Sequence, residues 1–302
     1  MTGDRVELRE VAPRDGLQNE KAFVPAAVKI DFVESLAAAG LPYVEVTSFV
    51  SPKWIPALAD GLEVARAFRR RPGTRYAALV PNARGYEAFR AAGTLDVAAI
   101  FLSATETHNR KNIAKSIDET IPVLREVADA ARTDGRAVRG YVSTVFGCPY
   151  EGRTPVERVE RVVRDLLAME CEEISLGDTI GAANPRQVRE VLARIFALAP
   201  VERFSLHFHD TRGTALANAL AAFESGARKF DGSAGGIGGC PYAPGAAGNA
   251  ATEELVYLFE SMGVATGVDL DALVRAARGI APSLGHELPG RYIRAHASPE
   301  TA

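Results

Sequence analysis

His207 and His209 stand two residues apart in Ser205-Leu206-His207-Phe208-His209-Asp210, a run with the alternation of a strand. Side chains alternate across a strand, so both imidazoles project from one face and Leu206 and Phe208 from the other. Two imidazoles on one face make a pair of metal ligands. Asp15 offers a carboxylate and Asn249 an amide carbonyl to complete the set, with waters or a bidentate substrate closing an octahedron. Nitrogen and oxygen donors without thiolate favour Mg²⁺ or Mn²⁺ over structural Zn²⁺. Arg14 precedes Asp15, and a fixed guanidinium over the same pocket suits a developing enolate or carbonyl oxygen. The plainer alternative for Arg14-Asp15-Gly16 is a surface turn with an ion pair. Residues 235–249 place six glycines and two prolines around Cys240. They read as a mobile loop carrying a thiol, against the alternative of a glycine-rich turn around a buried cysteine.

These residues need a scaffold. Strand-like runs are expected at Val6 to Glu10, Tyr43 to Thr47, Arg75 to Val80, Val97 to Leu102, Ala137 to Val145, Glu173 to Gly177, Phe204 to His209 and Lys229 to Gly232. Helical stretches fall between them, at Ala26 to Ala39, Ile55 to Arg70, Ala83 to Ala92, Ile117 to Thr133, Pro155 to Met169, Pro185 to Leu198 and Ala215 to Ser225. Repeated strand-helix units require a parallel sheet, and eight strands match a (β/α)₈ TIM barrel. Two further helices, Ala250 to Ser261 and Asp269 to Ala277, extend or cap it. The expected organisation is one catalytic domain over residues 1–280, with its C-terminal helices from about 247, and a flexible tail over 281–302.

A barrel places function at the C-terminal ends of its strands. Arg14 and Asp15 follow strand 1, Glu45 and Ser48 end strand 2, Asp178 follows strand 6, the histidines end strand 7, and Cys240 and Asn249 follow strand 8. His108, His286 and His296 fall in expected loops or the tail and are assigned no chemistry. A net charge of −3 without a long basic run gives no sign of nucleic acid or an anionic membrane as partner. No stretch approaches a membrane span, and the N-terminus lacks a signal core, so a cytoplasmic location is expected. Three cysteines, an odd number, argue against a disulfide framework. Gly-Cys-Pro-Tyr occurs twice, at 147–150 and 239–242, both after expected strands. The glycine density around Cys240 selects it over Cys148, which, like Cys171, is read as structural.

Several long motifs carry a resemblance. Val11 to Lys21, Val46 to Trp54, Arg139 to Ser143, Ser175 to Gly181, His207 to Thr211 and the 235–249 loop together resemble the 3-hydroxy-3-methylglutaryl-CoA lyase family, in order, from about residue 6 to about 280. The Arg-Asp-Gly and His-x-His elements are shared with isopropylmalate and homocitrate synthases, whereas the Gly-Gly-Cys-Pro-Tyr loop is specific to the lyases. The resemblance implies a metal on Asp15, His207, His209 and Asn249, and retro-Claisen cleavage of 3-hydroxy-3-methylglutaryl-CoA to acetyl-CoA and acetoacetate, a step of leucine and ketone-body chemistry. It implies catalytic roles for Cys240, Arg14, Asp15 and His207. Cys240 is the acid, and Asp15 or His207 the base. Substrate contacts fall on Arg14, Gln18, Glu45, Ser48, Ser175 and Asp178, with Lys111 and Asn112 toward CoA. A homodimer is implied. The alternatives are a Claisen condensation synthase, a lyase for a longer 3-hydroxyglutaryl-CoA thioester, and a non-catalytic CoA- or metal-binding barrel.

Overall fold

The computed structural model describes residues 4–238 and 248–296. Eight parallel strands close into a barrel in sequence order. They are β1 (Glu7–Glu10), β2 (Tyr43–Ser48), β3 (Arg75–Leu79), β4 (Val97–Ser103), β5 (Ala137–Ser143), β6 (Glu173–Asp178), β7 (Phe204–Phe208) and β8 (Lys229–Gly232). Helices α1 (Ala26–Ala38), α2 (Gly61–Ala67), α3 (Ala83–Ala92), α4 (Glu106–Ile113), α5 (Ile117–Thr133), α6 (Val156–Ala168), α7 (Pro185–Ile195) and α8 (Ala215–Glu224) link them. Then come α9 (Thr252–Ser261), α10 (Leu270–Ile280) and α11 (Arg291–Ala295). Among the described residues no helix is long and apolar enough to cross a membrane.

Alternation sorts each strand into two faces. Val138, Val142, Ile174, Leu176, Leu206 and Phe230 join the main apolar core, which the surrounding helices share. Their neighbours fill the barrel interior, and on β5 to β8 these are Arg139, Tyr141, Glu173, Ser175, Ser205, His207 and Asp231. Ala77, Val97, Ala99 and Leu79 supply the apolar share of that interior, in two small clusters. At the N-terminal mouth a cavity of about 270 Å³ is lined by Arg9, Arg75, Arg139 and Lys229. Each of these cations is already paired with Glu7, Glu172 or Glu173.

Three regions differ from the sequence expectations. Residues 106–113 form α4, and His108 sits on it rather than in a loop, buried with Nδ1 2.6 Å from Ser103 Oγ. The helix expected from Ile55 to Arg70 divides into a 3₁₀ turn, Pro56–Leu58, and α2. The expected tail is packed as far as residue 296. Leu284, Leu288 and Ile293 are buried, Gly290 N donates to Gly235 O at 2.9 Å, and Arg291 pairs with Asp210 at 2.7 Å. Gly235 has φ +71°, and a Cβ there would lie 3.0 Å from Leu288. Leu288→Ala therefore opens a cavity under this turn and is expected to cost about 2–4 kcal/mol of stability. Urea melts test it, and an unmoved midpoint would show that the segment contributes nothing.

Candidate active site

Strand β1 runs into a single π-type turn, Ala12–Gly16, in which the N–H groups of Arg14, Asp15 and Gly16 all converge on Val11 O. Such turns interrupt regular geometry and re-aim side chains. This one sends Arg14 and Asp15 into the C-terminal mouth. Gly16 permits it: a Cβ there would lie 2.6 Å from Ile237 Cγ1.

Asp15, His207 and His209 each present one donor atom, all within 4.8 Å of one another. His207 Nε2 lies 3.9 Å from Asp15 Oδ2, and the two imidazole centroids are 5.1 Å apart. His209 falls just beyond β7, where it bridges to Asn249 across a short antiparallel contact. Asp210 N to Gly248 O and Ala250 N to Phe208 O hold that contact. Asn249 Nδ2 donates to Asp15 Oδ2 at 2.9 Å and to Ile237 O at 3.2 Å. Among the described residues its Oδ1 has no hydrogen-bond partner, and neither does His209 Nδ1, although both are buried. Leaving a buried polar atom unpaired costs free energy, so two such atoms beside a carboxylate and a second imidazole fit a bound divalent cation. Burial would raise Asp15, but Arg14 and the two histidines outweigh it and hold the carboxyl well below the usual carboxylate range. Burial and the neighbouring His207 push His209 down to about 3, which keeps it neutral and fit to ligate.

The remaining sequence candidates divide. Arg14 is buried, its Nε on Glu45 Oε2 at 2.9 Å and its Nη1 on Asp15 Oδ1 at 2.5 Å. Glu45 sits at a bulge between β2 and β3, fully buried, and its Oε1 has no hydrogen-bond partner among the described residues. Gln18 Oε1 is likewise a buried acceptor without a partner among the described residues. Ser48 Oγ accepts from Val50 N, and Ser175 Oγ donates to Asp231 at 3.0 Å. Asp178 uses both oxygens on Ala182 N and Ala183 N, so it braces the loop after β6. Lys111 Nζ lies 5.1 Å from the centroid of the Tyr150 ring at the same mouth. Cys148 is buried and takes a hydrogen bond from Thr105 at 3.2 Å, as suits a structural thiol. Burial pushes the Cys171 thiol up to about 12. Cys240 lies outside the described residues.

Sequence reasoning missed Asp231 and Glu10. The β7–β8 register sets Asp231 beside His207, with Oδ2 3.3 Å from Nδ1. Burial alone would lower His207, but that hydrogen bond and the carboxylates of Asp15 and Asp231 raise it. Glu10 accepts from Ala12 N and Ala234 N on one oxygen and from Thr252 Oγ1 on the other. Glu253 accepts Gly235 N on both of its oxygens. Burial pushes Glu10 up to about 7 and Glu253 up to about 8. Their ordinary value is 4.5, so between there and about 8 the folded chain holds protons that the unfolded chain has released. Their contribution to stability is complete below about 4.5 and is lost as pH rises through the folded values. Glu253→Gln is expected to flatten the decline of the urea midpoint between about pH 5 and about pH 8. An unchanged slope would remove Glu253 from this balance.

A closed (β/α)₈ barrel with an Asp-His-His cluster at its C-terminal mouth, able to hold a cation beside a buried arginine, defines the class of barrel enzymes that keep their site at that end. The chain belongs to the HMGL-like family, whose model matches residues 5–280. It is 51% identical over 290 residues to the hydroxymethylglutaryl-CoA lyase of Bacillus subtilis, covering 96% of this chain and 97% of that protein. The mitochondrial hydroxymethylglutaryl-CoA lyase of Bos taurus is 47% identical, with 96% and 89% covered. The crystal structure of the Bacillus subtilis HMG-CoA lyase superposes with a TM-score of 0.96 at 50% identity, covering 99% of this chain and all of that one. An HMG-CoA lyase from Acinetobacter baumannii, in complex with coenzyme A and 3-methylmalate, gives 0.94 at 39% identity, covering 100% and 98%. The chain is a lyase.

Proposed function

We propose that the chain cleaves 3-hydroxy-3-methylglutaryl-CoA to acetyl-CoA and acetoacetate, with Mg²⁺ or Mn²⁺ held by Asp15, His207, His209 and Asn249. One observation carries the reading: two buried polar atoms without a partner among the described residues, His209 Nδ1 and Asn249 Oδ1, lie in the same mouth as Arg14 and the Asp15–His207–His209 cluster. A divalent cation supplies Lewis acidity toward the 3-hydroxyl and the carboxylate of the acyl group. The reaction removes the hydroxyl proton, breaks C2–C3 and passes that electron pair into the thioester as an enolate. Arg14 offers a buried, permanently charged donor for the enolate oxygen. Asp15 or His207 takes the hydroxyl proton, and Asp231 on His207 Nδ1 fixes that imidazole with Nε2 turned toward Asp15. Cys240 protonates the enolate carbon, because a thiol with a pKa of roughly 8.5 is still mostly protonated near neutral pH. Glu45 Oε1 and Gln18 Oε1 are open acceptors for substrate hydroxyl or amide groups. Ser48, Ser175 and Asp178 support the site from behind. The paired Lys111 and Tyr150 offer a cation and a ring face to the phosphates and adenine of CoA.

Incubation with 3-hydroxy-3-methylglutaryl-CoA and Mg²⁺ should yield acetoacetate. Its absence, together with condensation of acetyl-CoA onto a 2-oxo acid, would replace the lyase reading by that of a synthase. Cys240→Ala should lower kcat by about 10²-fold with metal affinity unchanged, the scale of a lost general acid. Wild-type turnover in that variant would take Cys240 out of the mechanism.

A further inference from the structure

The catalytic mouth and the barrel interior are joined by one side chain. Arg139 projects inward from β5 and is 1% exposed. Its guanidinium lies 4.6 Å from the centroid of the Tyr141 ring and 5.0 Å from that of Tyr43. Nη2 donates to Asp231 Oδ1 at 2.5 Å and to Ser205 Oγ at 2.8 Å. The other oxygen of Asp231 meets His207 Nδ1. Nη1 donates to Tyr141 Oη at 2.7 Å, and Tyr141 in turn donates to Glu45 Oε2 at 2.9 Å. That same Glu45 oxygen receives Arg14 Nε. Below, Glu173 Oε1 lies 2.9 Å from Arg139 Nε, so the buried charge is balanced on both sides.

Donor and acceptor directions are therefore fixed along both branches. A guanidinium has only protons to give, so Tyr141 must accept from Arg139 and turn its own proton to Glu45. Asp231, held by Arg139 on one oxygen, is left to engage His207 Nδ1 with the other, which keeps Nε2 toward Asp15. We propose that Arg139 is a positioning residue that sets both halves of the site at once: His207 through Asp231, and Arg14 through Tyr141 and Glu45. No lysine could do this, because one ammonium cannot hold a planar fork across two acceptors on opposite branches. The inference rests on the lyase reading for its kcat measurement alone.

The test titrates Mn²⁺ into wild type, Arg139→Lys, Tyr141→Phe and Asp231→Asn, and measures acetoacetate release at saturating Mn²⁺. Tyr141→Phe should lower kcat about 10-fold and leave Mn²⁺ affinity within twofold, whereas Asp231→Asn should weaken Mn²⁺ binding about 10- to 100-fold and lower kcat at saturating Mn²⁺ about 10-fold. Arg139→Lys should do both, with a wild-type circular dichroism spectrum. A folded Arg139→Lys with wild-type Mn²⁺ affinity, or with a kcat loss no greater than about twofold, would overturn the proposal. If Arg139→Lys does not fold, the Tyr141→Phe/Asp231→Asn double variant decides. Coupling through Arg139 makes its kcat loss at least about threefold smaller than the product of the single losses, and a simple product overturns it. A wild type that binds Mn²⁺ yet releases no acetoacetate would fail the lyase reading and leave the Mn²⁺ measurements to judge Arg139. A wild type that binds no Mn²⁺ overturns this proposal directly.

Discussion

Asp15→Asn is expected to weaken Mn²⁺ binding by about 100-fold or more and to lower turnover at ordinary Mg²⁺ by about 10³-fold. Among the described residues Asp15 is the only carboxylate in the donor cluster, and the two imidazoles there and the adjoining Asn249 amide carry no negative charge. It also accepts from Asn249 and pairs with Arg14, so its charge orders two neighbours at once. The asparagine keeps the shape and can still accept from Asn249, and Asp15 is partly exposed, so the fold should survive. Metal titration and the acetoacetate assay read the two losses separately. If kcat returns to the wild-type value at saturating metal, Asp15 serves as a ligand alone. If kcat stays low, the carboxylate also handles the hydroxyl proton. An unchanged Mn²⁺ titration would dismiss the donor set.

The barrel was legible because its signals are local. Short β-rich runs alternate with helical stretches, and each expected strand lies within two residues of the observed one at either end. His207 and His209 could be paired because the rule that joins them, alternation along one strand, needs no knowledge of the partner strands. Asp231, Arg139 and Glu10 could not be placed that way. Their roles depend on β7–β8 register, on the inward face of β5, and on two backbone N–H groups and the Thr252 hydroxyl converging on one carboxylate. A single carboxylate in Lys229-Phe230-Asp231-Gly232 carries no mark of the histidine across the sheet. Helix α4 went unread for another reason: Glu106-Thr107-His108-Asn109-Arg110-Lys111-Asn112-Ile113 has no apolar stripe to announce it. The packed segment after Ile280 was hidden by its prolines and glycines, and Leu284, Leu288 and Ile293 are too widely spaced to form a periodic face.

Arg14→Gln is expected to lower kcat by about 10³-fold while Mn²⁺ affinity changes little, the upper end for loss of a preorganised oxyanion donor. The guanidinium is committed before substrate arrives. Nε and Nη2 both reach Glu45 Oε2, Nη1 reaches Asp15, and the Tyr141 ring centroid lies 5.3 Å away. Burial opposes its charge, but Glu45 and Asp15 outweigh that and raise it above the ordinary arginine value, so it stays protonated throughout. Holding a cation in place among paired carboxylates means that little reorganisation is needed when negative charge reaches the thioester oxygen. Arg14→Lys separates charge from geometry. It keeps the positive charge but cannot span Glu45 and Asp15 together, so it should recover only part of the loss. Recovery to within twofold of wild type would mean that charge alone matters and that the Glu45–Tyr141 branch is dispensable. A kcat for Arg14→Gln within about tenfold of wild type would remove this arginine from enolate stabilisation, because a buried oxyanion donor is worth more than that.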